Sequence, residues 1–285
     1  MRPQRILFLC TGNTCRSPMA EVLCRAKIAR RGLPIEVKSA GLAAWDGSPA
    51  SPFAIEAAAQ RGLGLTAHRS TALTQELCAW ADRIAVMSEG HRAALLAASV
   101  EASKITVLGE GIPDPYGGDL ALYLATCTAL DRAMETLLPP LCIVPMAAEH
   151  IAALARLEAA CFADPWSAAA LAEEIDNPPA RFLVATDLDG AVCGYVGCHF
   201  VADEGAVTNV AVDTACRRKK TASWLLAALA ARARAEGVHR LMLEVRASNA
   251  GAIALYKRLG FQKDGIRPRF YQKPTEDAVL YSYNL

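Results

Sequence analysis

Arg5-Ile6-Leu7-Phe8-Leu9-Cys10-Thr11-Gly12-Asn13-Thr14-Cys15-Arg16-Ser17-Pro18-Met19 joins an apolar run, a short polar loop and the start of a helical pattern. Arg5–Cys10 reads as a strand and Ser17–Arg31 as a helix. Further along, strands are expected at Ile35–Ser39, Arg83–Met87 and Ile105–Leu108. Helices are expected at Ser51–Arg61, from about Gly90, and at Leu120–Leu138. Strand and helix taking turns predicts an α/β domain on a parallel sheet. Pro139-Pro140 stops its last helix.

A second pattern starts almost at once. Strands are expected at Cys142–Met146, near Arg181–Asp187, at Val192–Val201, Val207–Val212 and Arg240–Arg246, and around Phe270 and Tyr281. Helices are expected up to Cys161, at Thr221–Glu236 and at Asn249–Leu259. This mixture predicts an α+β or mixed α/β class. The expected domains are residues 1–140 and 141–285.

Composition fits that division. A chain of 285 residues has room for about two domains of ordinary size. Hydrophobic residues make up 53% and charged residues 21%, a balance that argues against disorder. A net charge of +1 gives no reason to expect nucleic acid or an anionic membrane as partner. The run Ile6–Cys10 is too short for a signal-peptide core, so a cytoplasmic protein is expected. The ten cysteines lack a disulfide-framework spacing, and no Cys-x-x-Cys or close His pair suggests a metal. Only Cys10 and Cys15 stand apart from buried, reduced thiols.

A loop at a helix N-terminus turns backbone N–H groups inward and cradles a phosphate dianion. Thr11, Gly12, Asn13, Thr14, Cys15 and Ser17 supply that loop. Cys10, at the strand end, faces the cradle, whose field favours the thiolate nucleophile. Arg16 offers a planar fork to two phosphate oxygens. Cys-x5-Arg alone is a common chance match, and the strand-loop-helix setting is what raises it. Asp114-Pro115-Tyr116-Gly117-Gly118 alone is a turn. Read with the loop, it carries an acid, Asp114, back over the cradle to protonate a leaving group.

The segment Ile6–Met19, the Ser39-Ala40-Gly41 turn and the Asp114–Gly118 loop resemble the low-molecular-weight protein tyrosine phosphatases over residues 1 to about 138. The resemblance implies a doubly wound, four-stranded parallel sheet and a cysteinyl-phosphate intermediate formed from a phosphoprotein substrate. It implies Cys10 as nucleophile, Arg16 as phosphate ligand and Asp114 as general acid, then base. It also implies that Cys15 can form a reversible disulfide with Cys10. Thr14 stands where tyrosine-specific relatives tend to carry isoleucine, and the branch with threonine includes protein-arginine phosphatases. Phosphotyrosine and phosphoarginine both stay open, and Tyr116 suits stacking on either.

In the second half, Leu241–Asn249 reads as a strand ending at a helix cap, followed by Ala252-Ile253-Ala254-Leu255-Tyr256-Lys257-Arg258-Leu259-Gly260-Phe261. Upstream, Val210-Ala211-Val212-Asp213 ends a strand before a basic turn and a helix, an arrangement suited to a pyrophosphate. Taken singly, Glu244 is a solvent-facing strand residue, Tyr256 a core aromatic and Asn249 a cap. Their joint spacing points elsewhere.

These segments, with Asp164-Pro165-Trp166-Ser167 and Tyr271…Glu276-Asp277-Ala278, resemble the GNAT acetyltransferases, in the branch that acetylates the N-terminal alanine of a ribosomal protein. Coverage is about residues 142 to 285. The resemblance implies acetyl-CoA as co-substrate and a protein N-terminus as acceptor. Glu244 is then the base and Tyr256 the acid. Val210, Ala211, Val212, Arg218, Lys219, Lys220, Thr221, Ala222, Ser223 and Asn249 hold the cofactor. The turn Arg217-Arg218-Lys219-Lys220-Thr221-Ala222 departs from the family at Lys220, where a glycine is usual because backbone approaches the pyrophosphate closely. Two expectations follow: a bifunctional phosphatase and acetyltransferase, or a phosphatase with a degenerate GNAT module that only binds protein or peptide.

Overall fold

The computed structural model describes residues 1–285. The chain divides into two compact units, Gln4–Arg30 with Ile35–Pro140, and Leu141–Leu285 with Met1–Pro3 and Arg31–Pro34.

In the first unit, β1 (Gln4–Cys10) is followed by α1 (Arg16–Arg31), β2 (Ile35–Gly41), α2 (Pro52–Ala59), α3 (Gln75–Trp80), β3 (Arg83–Val86), α4 (Glu89–Ala97), β4 (Ile105–Val107) and α5 (Leu120–Leu137). All strand pairs are parallel, in the order β2-β1-β3-β4. Residues Ile6–Leu9 of β1 have no exposed surface, because helices cover both faces of the sheet. The chain moves from β1 outward to β2, then back across to β3. The crevice at the carboxyl ends of β1 and β3 is therefore the switch point, where doubly wound sheets bind ligands. Side-chain caps start the helices: Ser51, Thr74, Ser88 and Asp119 each accept from a first-turn N–H. Helix α3 escaped sequence reading because its six residues are too few to show a helical period.

The second unit runs β5 (Cys142–Pro145), α6 (Ile151–Cys161), α7 (Ala168–Glu173), β6 (Leu183–Thr186), β7 (Val192–Val201), β8 (Glu204–Val212), α8 (Thr221–Ala235), β9 (Arg240–Arg246), α9 (Ala250–Arg258), β10 (Gln262–Gln272) and β11 (Thr275–Asn284). Seven strands lie in the order β10-β11-β9-β8-β7-β6-β5. Every pair is antiparallel except β8 with β9, which α8 connects as a crossover. That parallel ladder covers only Glu204–Val207 against Arg240–Leu243. Beyond it, β8 continues to Val212 and β9 to Arg246 without pairing to each other. The two strand ends thus part, and a slot opens in mid-sheet. A bulge between Gly197 and Cys198, opposite Asn209 and Val207, bends β7 and β8 beside it.

Candidate active sites

The loop after β1 wraps around the Cys10 sulfur. Ser17 Oγ lies 3.0 Å from Cys10 Sγ, and the Asn13 N–H donates to the same sulfur at 3.3 Å. Asn13 holds the wrap from inside. Its side-chain nitrogen donates to Ser17 Oγ and Ser39 Oγ, both at 2.9 Å, and its oxygen accepts from the Thr71 N–H at 2.8 Å. Asn13 has φ +53, a left-handed conformation that asparagine tolerates better than most side chains. Gly41 lies against the back of the loop. A Cβ there would sit 2.6 Å from the Thr11 carbonyl oxygen and 2.8 Å from the Asn13 nitrogen.

Arg16 is only 5% exposed. One guanidinium nitrogen donates to the Ile112 carbonyl at 3.3 Å, and another pairs with Asp114 at 2.5 Å. Its Nε is buried without a protein acceptor. A buried donor of this kind is costly unless an anion meets it, so the cradle's chemistry fits phosphate. Asp114 is half exposed. Tyr116, just beyond it, is 81% exposed.

Three supports escaped sequence reading. His91 is buried, bonded through Nε2 to Thr11 Oγ1 and through Nδ1 to Ser88 Oγ, each at 3.0 Å. Burial, then the nearby Arg16 charge, lowers its pKa, although Asp114 pulls the other way. His68 Nε2 lies 2.8 Å from the Asn13 carbonyl oxygen. Tyr123 Oη meets Cys15 Sγ at 3.2 Å, and its phenol is pushed up to about 12, chiefly by burial and then by that bond. Trp45, 85% exposed, lies in the segment Leu42–Gly47 that bonds to the loop through Leu42 N to Cys10 O and Ala43 N to Thr11 O. Cys10 and Cys15 are both free thiols, each bonded to a different hydroxyl.

In the second unit, a cavity of about 1120 Å³ fills the slot. The β8 end (Val210, Ala211, Val212) forms one wall. The basic turn and α8 start (Arg218, Lys220, Thr221, Ala222, Ser223) form another, and α9 with Asn249 and Tyr256 closes it. Lys220 is the N-cap of α8 with φ +65 and ψ 13, and Arg218 has φ +63. Lysine therefore adopts the left-handed conformation that glycine would give at little cost. The first-turn N–H groups of α8 have no intrahelical partner and face an anion's natural place. These residues fit an acyl-CoA: free strand edge, helix N-terminus and basic side chains line one cavity.

Asn249 spends its side chain on capping α9, accepting from the Ala252 N–H at 3.1 Å. Tyr256 is buried against Phe261 and Tyr281. That burial, with a smaller effect from Tyr271, raises its pKa and keeps the phenol protonated. Lys219 and Glu244 are not on the cavity wall. Glu244 projects from β9 between buried Leu243 and Val245 and pairs with Arg267 at 2.6 Å.

A fully buried carboxylate, Glu158 on α6, had no sequence signal. It accepts from the Tyr195 hydroxyl, from Asn209 at 3.0 Å and from the Trp166 N–H at 2.8 Å. This tie fixes α6 to β7 and to β8 next to the cavity wall.

Residues 5–142 match the family described as low molecular weight phosphotyrosine protein phosphatase, and residues 151–261 match the acetyltransferase (GNAT) family. A protein-arginine-phosphatase of Geobacillus stearothermophilus is 40% identical over 47% of this chain and 94% of its own length. A low molecular weight protein-tyrosine-phosphatase of Escherichia coli K12 is 36% identical over 45% of this chain and 88% of its own. A Bacillus subtilis protein, described as a candidate ribosomal protein bS18-alanine N-acetyltransferase, is 35% identical over 47% of this chain and 89% of its own. With each unit matched along nearly the whole of its relatives, the chain belongs to two families: the low molecular weight phosphotyrosine protein phosphatases through its first half and the GNAT acetyltransferases through its second.

Proposed function

We propose that this chain hydrolyses phosphorylated protein side chains with its first unit and acetylates a protein N-terminal alanine amine with its second. The observation that carries the first activity is the convergence of Cys10, Arg16 and Asp114 on one loop. Cys10 attacks phosphorus while Arg16 and the loop N–H groups neutralise the oxygens. Asp114 protonates the departing group, then takes a proton from the water that releases phosphate.

Phosphoarginine is accepted at least as well as phosphotyrosine. Two features support this: Thr14 in the loop, and the arginine phosphatase among the relatives. A branched apolar side chain at 14 would crowd the space around the phosphate. The comparison that tests it is kcat/KM on both substrates for wild type and Thr14→Ile. An unchanged ratio in the variant removes Thr14 from the account.

For the second activity, acetyl-CoA supplies an activated acyl group when bound. The main chain of Val210–Val212 and the N-terminus of α8 bind it, and Arg218 and Lys220 add charge near its phosphates. Glu244 draws a proton from the acceptor's α-ammonium, which competes with Arg267 for the carboxylate. Tyr256 keeps a proton on Oη to give toward the cavity. Calorimetry with acetyl-CoA on wild type and Lys220→Gly decides between the two readings. Binding by the wild type supports an acetyltransferase. Binding only after the glycine is restored makes the second unit a GNAT fold that wild-type Lys220 disables.

A further inference from the structure

Cys193 and Cys216 form a thiol pair that neither family match explains. Cys193 sits near the start of β7, where its carbonyl accepts from the Asp213 N–H at 2.9 Å. Cys216 ends the 3-10 turn Thr214–Cys216, and its N–H returns to the Asp213 carbonyl at 2.9 Å. This double tie through the Asp213 main chain sets Cys193 and Cys216 beside each other at the start of β7. Cys216 also lies on the cavity wall, and its carbonyl accepts from Thr221 Oγ1 at 3.0 Å. The pair therefore stands under the turn that carries Arg218 and Lys220.

We propose that Cys193 and Cys216 are a disulfide-forming site, oxidised by a hydroperoxide, and that the bond lowers acetyl-CoA affinity by distorting this turn. The second clause rests on reading the cavity as the acetyl-CoA site.

Cys216, on the open cavity wall, is reached first. Its sulfur attacks the peroxide, the O–O bond breaks, and Cys216 becomes a sulfenic acid as water or an alcohol leaves. The Cys193 sulfur then attacks the Cys216 sulfur. The S–S bond forms, and the hydroxyl departs as water with the Cys193 proton. Two thiols lose two electrons and the peroxide gains them. The assignment of roles agrees with the surroundings of Cys193. Burial, then the Cys216 contact and Asp187, push its thiol up to about 12, with Lys219 opposing, so it is the poorer first nucleophile.

A disulfide needs its sulfurs about 2.05 Å apart, shorter than any hydrogen-bonded contact. Closing that distance draws the Cys216 turn toward β7 and pulls on Thr221, the residue after Lys220.

The test treats the full chain with hydrogen peroxide, maps disulfides by peptide mass spectrometry, and measures acetyl-CoA binding before and after. A Cys193–Cys216 bond with affinity at least tenfold weaker, reversed by dithiothreitol, is expected. Cys193→Ser should bind acetyl-CoA like wild type and keep that affinity after peroxide. Cys216 found as a sulfinic acid, or bridged to Cys161, with Cys193 still a free thiol, overturns the site. A mapped bond with unchanged affinity overturns the effect on the turn. If the reduced wild type does not bind acetyl-CoA, the cavity reading fails, and the mapping alone still decides the site.

Discussion

Arg16 Nη2 and Asp114 Oδ2 meet at 2.5 Å, although 98 positions separate them in the chain. The pair couples two roles. On the proposed roles, the arginine that closes the cradle also orients the acid, so a phosphate entering the cradle would compete for the same guanidinium and free Asp114 for the leaving group. Asp114→Asn keeps the size of the side chain and removes its proton chemistry. It should lower kcat by about 10²- to 10⁴-fold on a phosphomonoester with a poor leaving group. On an activated aryl phosphate, which needs little protonation, the loss should be much smaller. Equal losses on both would make Asp114 a structural partner of Arg16 and nothing more.

Gly41→Ala tests the packing behind the cradle. Its Cβ meets backbone, the Thr11 carbonyl oxygen and the Asn13 nitrogen, and backbone yields only by deforming the loop. Overpacking of this kind costs about 1–3 kcal/mol. The variant should lose phosphatase kcat/KM by tenfold or more, while acetyl-CoA binding by the other unit stays unchanged. Normal phosphatase activity in Gly41→Ala would mean that the loop has slack.

His91 gives the first unit a pH dependence. Its folded pKa is lowered from the ordinary value of 6.5, so the unfolded chain binds the proton more tightly than the folded one. Stability therefore rises with pH through the window below 6.5 and falls as the solution is acidified through it. Protonation would also take away the imidazole's acceptor nitrogen between Thr11 and Ser88. Hydrogen exchange of β1 and β3 amides at pH 7.5, 6.5 and 5.5 should show protection falling with pH. In His91→Gln that decline should be shallower. Identical slopes would assign the acid sensitivity to other groups.

The frame of both units was legible because their strands and longer helices carry strong local patterns: β7 and β9 have the bounds expected from sequence. Cys10, Arg16 and Asp114 stood out in the sequence because a strand-loop-helix and a distant acidic turn make joint sense as one site, and Arg16 and Asp114 do meet in the fold. Supports such as His91, His68 and Tyr123 were not, since each acts through a fold contact dozens of residues away. Glu158 is the clearest case. A glutamate in an alanine-rich helix looks solvent-facing until Tyr195, Asn209 and the Trp166 N–H converge on it. Helix α7, like α3, is only six residues long and gave too little periodicity to read.

Lys220 is where sequence reading found a conflict, and the backbone shows its form. With φ +65 it holds a conformation that costs an ordinary side chain roughly 1–2 kcal/mol and glycine very little. Lys220→Gly removes that strain but adds freedom to the unfolded chain, so a net gain of about 0.5–1 kcal/mol in the stability of the second unit is expected. Lys220→Ala keeps the strained backbone and removes only the charge. It should leave stability near that of wild type and weaken acetyl-CoA binding most at low salt, where an exposed ammonium is least screened. Urea unfolding and calorimetry on the three proteins separate the two effects. If the glycine variant is less stable than wild type, the left-handed turn at Lys220 is not a source of strain. If alanine and glycine bind acetyl-CoA as tightly as lysine at low salt, the ammonium plays no part in holding the phosphates.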